Sequence, residues 1–344
     1  MLKEHQKVLI YMEGHIDSDY GKMGMGVIRY LKNPIVGVID STHAGKKMNT
    51  LFDFAGPIPI FETLEQAQTQ GAEVLILGIA PSGGKIPATW IPVISQALDR
   101  GLSIVNGLHD LLQPQWHDKI KYPEKQWIWD VRVPQFIPEI ASGKAAQLKN
   151  KRILFVGTDM AVGKMTAALE IYQWLQAAHQ KVGFVATGQI GITITGQGIP
   201  LDAFKVDHAC GAVEQAVLAQ AENDIVLIEG QGSLLHPGST ATLPLMRGSC
   251  PTALILCHGG QKTHLRSPAE IQIPDLKAFI ALNESLSTVC GTFPQAHVVG
   301  IALNTSRLSA DEAKKVIAEM EAETQLPVED LVRFGAEKLG RLLV

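Results

Sequence analysis

Residues 157–166 have the composition and spacing of a phosphate-binding loop. They read GTDMAVGKMT and lie between a hydrophobic segment that predicts a strand and a helical pattern that begins at Lys164. Backbone amides in such a loop and at the N-terminus of the next helix attract one anion, and Lys164 would add a positive charge. The alternative is a glycine-rich turn with an exposed lysine, but the flanking strand and helix favour phosphate binding. The residues predicted to surround the bound group are Gly157, Thr158, Asp159, Val162, Gly163, Lys164, Met165 and Thr166.

A second set of residues suited to chemistry lies between residues 229 and 267, in the segments EGQGSLLHPGST, MRGSC and CHGGQKTHLR. Histidine can transfer protons near neutral pH, and arginine can hold a substrate carboxylate through paired hydrogen bonds. Because the ends of parallel strands form the sites of α/β proteins, we expect these side chains to converge with Glu229. For any single residue a structural role is the alternative, and the density of the group is the signal. The candidates are His236, Arg247, His258, Lys262, His264 and Arg266.

Met165 departs from the pattern of magnesium-dependent loops, in which Ser or Thr follows the lysine and coordinates the metal. Thr166 comes one position later, turned by roughly 100° around the helix. Two interpretations remain open. Either Thr166 compensates in a shifted geometry, or the loop holds a diphosphate without magnesium, and coenzyme A carries such a group.

An alternating series of strands and helices must position these residues. Such alternation predicts an α/β protein with parallel sheets and right-handed crossovers. The pattern breaks into aromatics and prolines around residues 127–138, so we predict two domains, 1–145 and 146–344. Ser309 and Glu312 predict a capping box, and residues 188–200 predict a loop or hairpin. Predicted strands cover residues 7–12, 35–39, 74–79, 102–105, 153–156, 182–186, 225–228, 253–257 and 298–303, and predicted helices cover 25–32, 63–70, 90–100, 164–178, 207–221, 275–286 and 310–321.

Composition excludes several classes of function. The formal net charge of -4 gives no electrostatic reason to bind nucleic acid. The amino terminus lacks the apolar stretch of a signal peptide, and no apolar run approaches the ~20 residues that span a bilayer. The scattered Cys210, Cys250, Cys257 and Cys290 lack zinc-ligand spacing and predict reduced structural thiols. We therefore expect a cytoplasmic protein with a small-molecule partner that carries a carboxylate, and a homo-oligomer stays open.

Two glycine-rich turns in the first half have weaker signals. EGHIDSDYGKMGMG, at residues 13–26, together with Asp40 is similar to a dinucleotide-binding fingerprint, but its glycines follow GxxGxG and the turn is long. The alternative is that the glycines allow close helix packing. APSGGK, at residues 80–85, predicts either an anion site or a simple turn.

The wording GTD-x-x-VGK, with five residues between Gly157 and Gly163, resembles the dethiobiotin synthetase branch of P-loop proteins. This resemblance implies that Glu229, after the strand IVLI, helps to bind magnesium together with Thr166 if magnesium is used. It also implies that Asn304, at the end of VVGIALN, reads a nucleotide base. A helix-capping carboxylate and a turn-forming asparagine are the respective alternatives.

Taken together, YGKMGMGVIRY, GTDMAVGKMT, EGQGSLLHP and CHGGQKTHLR resemble one family over nearly the full length. It is a family long catalogued as of unknown function, whose characterised members are D-glutamate N-acetyltransferases. The resemblance implies a Rossmann-like parallel sheet in the N-terminal domain and a P-loop NTPase-like three-layer α/β/α fold in the C-terminal domain. It also implies acetyl transfer from acetyl-CoA to the amine of an acidic D-amino acid. Catalytic candidates are then Glu229, His236 and Lys164, and substrate-binding candidates are Arg247, Arg266 and His264.

Two other functions remain open. An ATP-dependent and Mg-dependent ligase or kinase agrees with GTD-x-x-VGK and Glu229 but not with Met165. A nucleotide-binding regulatory protein without turnover has little need of so many ionisable groups after Gly230.

Overall fold

The computed structural model describes residues 2–81, 83–289 and 293–344. Ser82, in the predicted turn at residues 80–85, and Cys290 lie outside the described residues. The strands are β1 (Val8–Tyr11), β2 (Ile35–Ile39), β3 (Ile60–Phe61), β4 (Val74–Leu77), β5 (Ser103–Asn106), β6 (Ile128–Asp130), β7 (Lys151–Gly157), β8 (Val182–Val185), β9 (Ile225–Ile228), β10 (Ala253–Gly259), β11 (His297–Asn304) and β12 (Val328–Glu329). The α-helices are α1 (Lys22–Tyr30), α2 (Leu64–Gln68), α3 (Ile91–Asp99), α4 (Gln113–Trp116), α5 (Lys164–Ala177), α6 (Gln189–Thr195), α7 (Val206–Leu218), α8 (Thr242–Ser249), α9 (Leu276–Thr288), α10 (Ala310–Thr324), α11 (Leu331–Phe334) and α12 (Glu337–Gly340).

The chain folds into two compact units. The amino-terminal unit comprises Met1–Val133 together with Gln189–Pro200, and the carboxy-terminal unit comprises Pro134–Gly188 together with Leu201–Val344. A short piece of the second half of the sequence therefore belongs to the amino-terminal unit.

The amino-terminal unit contains a parallel sheet with the strand order β3-β2-β1-β4-β5-β6. This is the order of a Rossmann-type sheet. β1, β4 and β5 are buried along their whole length, which explains why β1 and β4 read as continuous apolar runs. The predicted Rossmann-like domain is confirmed. The predicted break at residues 127–138 is partly wrong, because β6 forms there, and a strand of three residues is too short to show a periodicity.

Met12 fills the space beside the glycine-rich turn after β1. A Cβ on Gly24 would approach its sulfur to 2.3 Å, and a Cβ on Gly78 would approach its Cγ to 2.7 Å. The Asp40 carboxylate accepts the His43 amide at 3.0 Å and so caps a short 3-10 turn. These contacts support the interpretation in which the glycines allow close helix packing.

The prediction of a loop or hairpin at residues 188–200 is wrong, because α6 forms there. α6 packs against α1 within the amino-terminal unit and buries Ile190 and Ile192. Its sequence, QIGITIT, consists largely of β-branched residues and glycine, which have low helix propensity. Tertiary packing therefore decides its conformation.

The carboxy-terminal unit contains a parallel sheet with the strand order β12-β11-β10-β7-β9-β8. β7 lies between β10 and β9, so the carboxyl ends of these three strands are neighbours. β9 is buried throughout, as expected for a strand covered by helices on both faces. The predicted P-loop fold is confirmed, as is the capping box of Ser309 and Glu312 at the start of α10. No helix among the described residues has the length and apolar character required to cross a membrane.

Candidate active site

The loop at residues 158–163 joins the end of β7 to the start of α5. Gly163 has a φ of +101° and provides no side-chain cap for α5. Ala161, with a φ of +55°, is also in the left-handed region, which a side chain rarely adopts. The first amides of a helix have no acceptor within it, so an uncapped N-terminus attracts an anion. The strand, loop and helix required by the motif are thus present.

Lys164 lies against the ends of two strands, where glycines make room for it. A Cβ on Gly157 would lie 3.1 Å from the lysine Nζ, and one on Gly230 would lie 2.9 Å from its Cδ and 1.7 Å from the Phe155 carbonyl oxygen. The Lys164 Nζ donates to the Asp159 carbonyl oxygen at 2.8 Å. Burial lowers the pKa of Lys164 to about 8. An anion in the loop would stabilise its charged form.

The Glu229 carboxylate, directly after β9, is directed at backbone amides. Oε2 accepts the amides of Thr187 at 2.8 Å and Gly188 at 3.2 Å, and Oε1 accepts Nε2 of Gln231 at 3.2 Å. Burial raises the pKa of Glu229 to about 7. Its charge also acts on Lys164, so these two groups lie in one buried cluster. Thr187, Gly188 and Gln231 had no assigned role in the sequence interpretation, although Gln231 stands in the motif EGQGS.

Asp159 connects the loop to the segment after β10. Asp159 is buried, and its Oδ1 accepts the Met160 amide at 2.7 Å. Oδ2 accepts the Lys262 ammonium and the Arg266 amide, the latter at 2.8 Å. Burial opposes ionisation, but these donors hold the pKa of Asp159 below its usual value. The segment CHGGQKTHLR is therefore fixed to the loop by a carboxylate that was predicted only to surround the ligand.

Thr158 and His258 form a buried pair beside Asp159. The Thr158 hydroxyl is 2.8 Å from Nδ1 of His258. Burial, together with the charge of Lys262, lowers the pKa of His258 to about 4. His258 is therefore neutral at pH 7, and it holds the loop instead of titrating.

His236 lies in the segment after Glu229 and contacts the segment after β10. Its Nε2 is 2.6 Å from the Ser267 carbonyl oxygen, and its Nδ1 accepts the Gly238 amide at 3.0 Å. A carbonyl oxygen can only accept, and an amide can only donate. These two bonds therefore fix the neutral tautomer with the proton on Nε2. They also connect His236 to Arg266 and hence to Asp159.

Arg247 is not brought to the loop. It lies in the last turn of α8, and the Arg152 guanidinium donates to the carbonyl oxygens of Ser249 at 3.1 Å and Cys250 at 3.0 Å. Arg152 lies near the beginning of β7, and the loop follows the end of β7. A strand of seven residues is roughly 20 Å long, so the two lie at opposite ends of it. Arg247 therefore lies near the amino ends of the strands, whereas the loop lies at their carboxyl ends. The structure does not bring it to the site where a substrate carboxylate was predicted.

The remaining predicted residues lie around the loop. The Asn304 Nδ2 is 4.0 Å from the position of a Cβ on Gly163. Val162 is buried beside Gly157, so only its backbone can face a ligand. Met165 and Thr166 are half-buried in the first turn of α5. His264 is exposed in the segment after β10, and its Nδ1 is 3.0 Å from the Thr263 hydroxyl.

The fold and the loop define a two-domain α/β protein with a Rossmann-like amino-terminal domain and a P-loop carboxy-terminal domain. Residues 139–340 match a family model described as a domain of unknown function, DUF1611, P-loop domain. Residues 41–134 match the corresponding Rossmann-like domain of DUF1611. The chain belongs to this family.

Known relatives agree with this assignment and with the resemblance seen in the sequence. A protein of Tritonibacter scottomollicae named D-glutamate N-acetyltransferase is 40% identical, over 80% of this chain and 83% of its own. A protein of the same name from Pseudoalteromonas sp. is 35% identical, over 80% of this chain and 82% of its own. The crystal structure of a DUF1611 family protein from Anabaena variabilis is 43% identical and has a TM-score of 0.94, over 98% of this chain and 99% of that one.

Proposed function

We propose that this chain is an N-acetyltransferase that transfers the acetyl group of acetyl-CoA to the amine of an acidic D-amino acid, D-glutamate or a close analogue. The observation that carries the proposal is the uncapped loop with its buried Lys164, in a chain whose relatives at 40% and 35% identity are named D-glutamate N-acetyltransferase. A loop that attracts phosphate suits a donor with several phosphate groups.

The donor supplies an activated acetyl group as a thioester, and the loop would hold its phosphates. The amides at the start of α5 and the ammonium of Lys164 provide complementary charge. Asn304 lies beside Gly163, where its amide could bond the adenine. The pantetheine arm contains two amide units and extends on the order of 15 Å, by the dimensions of a peptide chain. The thioester would therefore lie away from the loop.

This separation decides which side chain accepts the proton of the attacking amine. Glu229 interacts with Lys164 and would lie at the phosphates, so we assign it to holding the turn at Thr187 and Gly188. His236 is bonded to the Ser267 carbonyl oxygen, one residue beyond the Arg266 amide that bonds the Asp159 carboxylate. Its Nε2–H donates to a carbonyl oxygen, which orients the imidazole and leaves Nδ1 as the acceptor. We assign the base to Nδ1 of His236, which would exchange the Gly238 amide for the amine.

The carboxylates of the acceptor need donors near His236. Arg266 and His264 are exposed and belong to the segment whose Ser267 carbonyl oxygen contacts His236. We assign substrate binding to these two side chains and not to Arg247.

The test is acetyl transfer by the purified full-length chain. Acetyl-CoA is incubated with D-glutamate, with L-glutamate or with no acceptor, and the release of free thiol and the mass of the product are measured. The proposal expects an acetylated amino acid, formed faster from D-glutamate. It is overturned if no acidic amino acid is acetylated. Stabilisation against heat by magnesium ATP and not by acetyl-CoA would then favour a ligase or kinase.

A further inference from the structure

The residues around the loop do not fit a magnesium ion. Met165 offers a thioether where a magnesium-dependent loop offers a hydroxyl, and magnesium prefers oxygen ligands. The predicted ligands were Thr166 and Glu229. Thr166 is turned by roughly 100° around the helix from the position of that hydroxyl, and Glu229 already accepts three donors, from Thr187, Gly188 and Gln231.

A diphosphate in the loop nevertheless calls for more positive charge than one lysine, and Lys262 is suited to supply it. Lys262 stands three residues after β10, the strand next to β7. Its ammonium donates to Asp159 within the loop itself. Its charge also opposes that of Lys164, so the two ammonium groups lie within electrostatic range of each other.

The contact with Asp159 leaves Lys262 able to bind an anion. An ammonium group has three protons, and the carboxylate uses one of them. The lysine side chain is 27% exposed, whereas that of Asp159 is 2% exposed, so the ammonium is the accessible partner. Asp159 also accepts the amides of Met160 and Arg266, which disperses its negative charge. Asp159 therefore positions Lys262 at the loop without consuming its bonding capacity.

We propose that Lys262 is the second cation of the phosphate site, held in position by Asp159, and that the site binds a diphosphate without magnesium. The identification of the ligand as coenzyme A rests on the proposed function. The pairing of two ammonium groups suits any diphosphate ester.

The first experiment measures the dissociation constant of coenzyme A for the full-length chain by calorimetry, in EDTA and in excess magnesium chloride. The proposal expects the same value within a factor of two. Binding that becomes tenfold or more tighter with magnesium would overturn it.

The second experiment separates a direct role of Lys262 from an effect on Asp159. Lys262→Met should weaken coenzyme A binding about 10- to 100-fold, as expected for a lost charged hydrogen bond, and Lys262→Arg should restore most of the affinity. Lys277→Met, an exposed lysine on α9, is the matched control and should change nothing. The decisive comparison is Lys262→Met in an Asp159→Asn background. A lysine that binds phosphate still costs at least fivefold there, whereas one that only neutralises Asp159 costs nothing, and this second result would overturn the proposal.

Inorganic diphosphate, titrated in EDTA, distinguishes failure of this inference from failure of the proposed function. If coenzyme A does not bind but diphosphate shows the expected series of affinities, the donor is wrong and the role of Lys262 stands. If coenzyme A binds and Lys262→Met leaves its affinity unchanged, alone and in the Asp159→Asn background, the role of Lys262 is wrong and the donor stands.

Discussion

Glu229→Gln tests the physical environment of the site by changing one charge. Burial raises the pKa of Glu229 from 4.5 to about 7. The folded chain therefore holds this proton more tightly than the unfolded chain does. Below pH 4.5 this group does not lower the free energy of unfolding. The destabilisation grows as the pH rises and reaches its full value above about pH 7. At 1.36 kcal/mol per pKa unit the full cost is about 3 kcal/mol, of which about 2 kcal/mol develops between roughly pH 5.5 and 8.

The variant removes this dependence while keeping the fold. The glutamine oxygen can still accept the amides of Thr187 and Gly188, and Gln231 can turn its own amide oxygen towards the new donor. Urea unfolding of both proteins at the two pH values, with pulsed hydrogen exchange in β7 and β9, reports the carboxy-terminal unit separately. Other groups titrate in both proteins, so the quantity of interest is the difference between them. We expect the native protein to lose about 2 kcal/mol more than the variant. An equal loss in both would refute the assigned environment of Glu229.

Three further predictions concern the loop and its surroundings. Coenzyme A affinity should fall by up to about tenfold per pH unit above pH 8, because Lys164, with a pKa of about 8, then loses its proton and its charge. Lys164→Arg should remove this dependence on pH in calorimetric titrations. Gly230→Ala, whose Cβ would lie 1.7 Å from the Phe155 carbonyl oxygen, should cost about 3 kcal/mol or more in urea unfolding, whereas Gly260→Ala, with its nearest atom at 3.4 Å, should change stability by about 0.5 kcal/mol or less. His236→Gln should lower kcat on the order of 100-fold or more and leave the KM for acetyl-CoA unchanged, and a normal kcat would remove it as the base.

The sequence predicted those features that depend on short segments. Buried parallel strands appear as continuous apolar runs, and the loop at residues 157–166 has a specific motif, so the fold and the position of Lys164 could be predicted. α6 could not be predicted, since its β-branched residues disfavour a helix and tertiary packing, for which α1 is one partner, stabilises it. The contact of Asp159 with Lys262 joins residues more than 100 positions apart, and no local pattern records it.

Arg247 illustrates why proximity in sequence misled the interpretation of the site. A helix that follows a strand in a parallel sheet runs back towards the amino ends of the strands, so residues late in that helix leave the site edge. α8 is such a helix. It has only eight residues and contains Pro244, so its sequence shows no helical pattern from which this direction could be inferred. Recognition of α8 would have excluded Arg247 from the loop before any coordinates were known.

The strand order explains why the residues that we propose for phosphate binding and for proton transfer lie in one small region. β7 lies between β9 and β10, so the segments that follow these three strands begin side by side. The first provides Lys164, the second provides Glu229 and His236, and the third provides Lys262. The two contacts of His236 then connect this region to Ser267 and Gly238. A loop that bound ATP for phosphoryl transfer would need its catalytic groups at the phosphates themselves. Here the group best oriented to accept a proton, His236, is bonded to Ser267 and Gly238, outside the loop, and this placement favours acyl transfer.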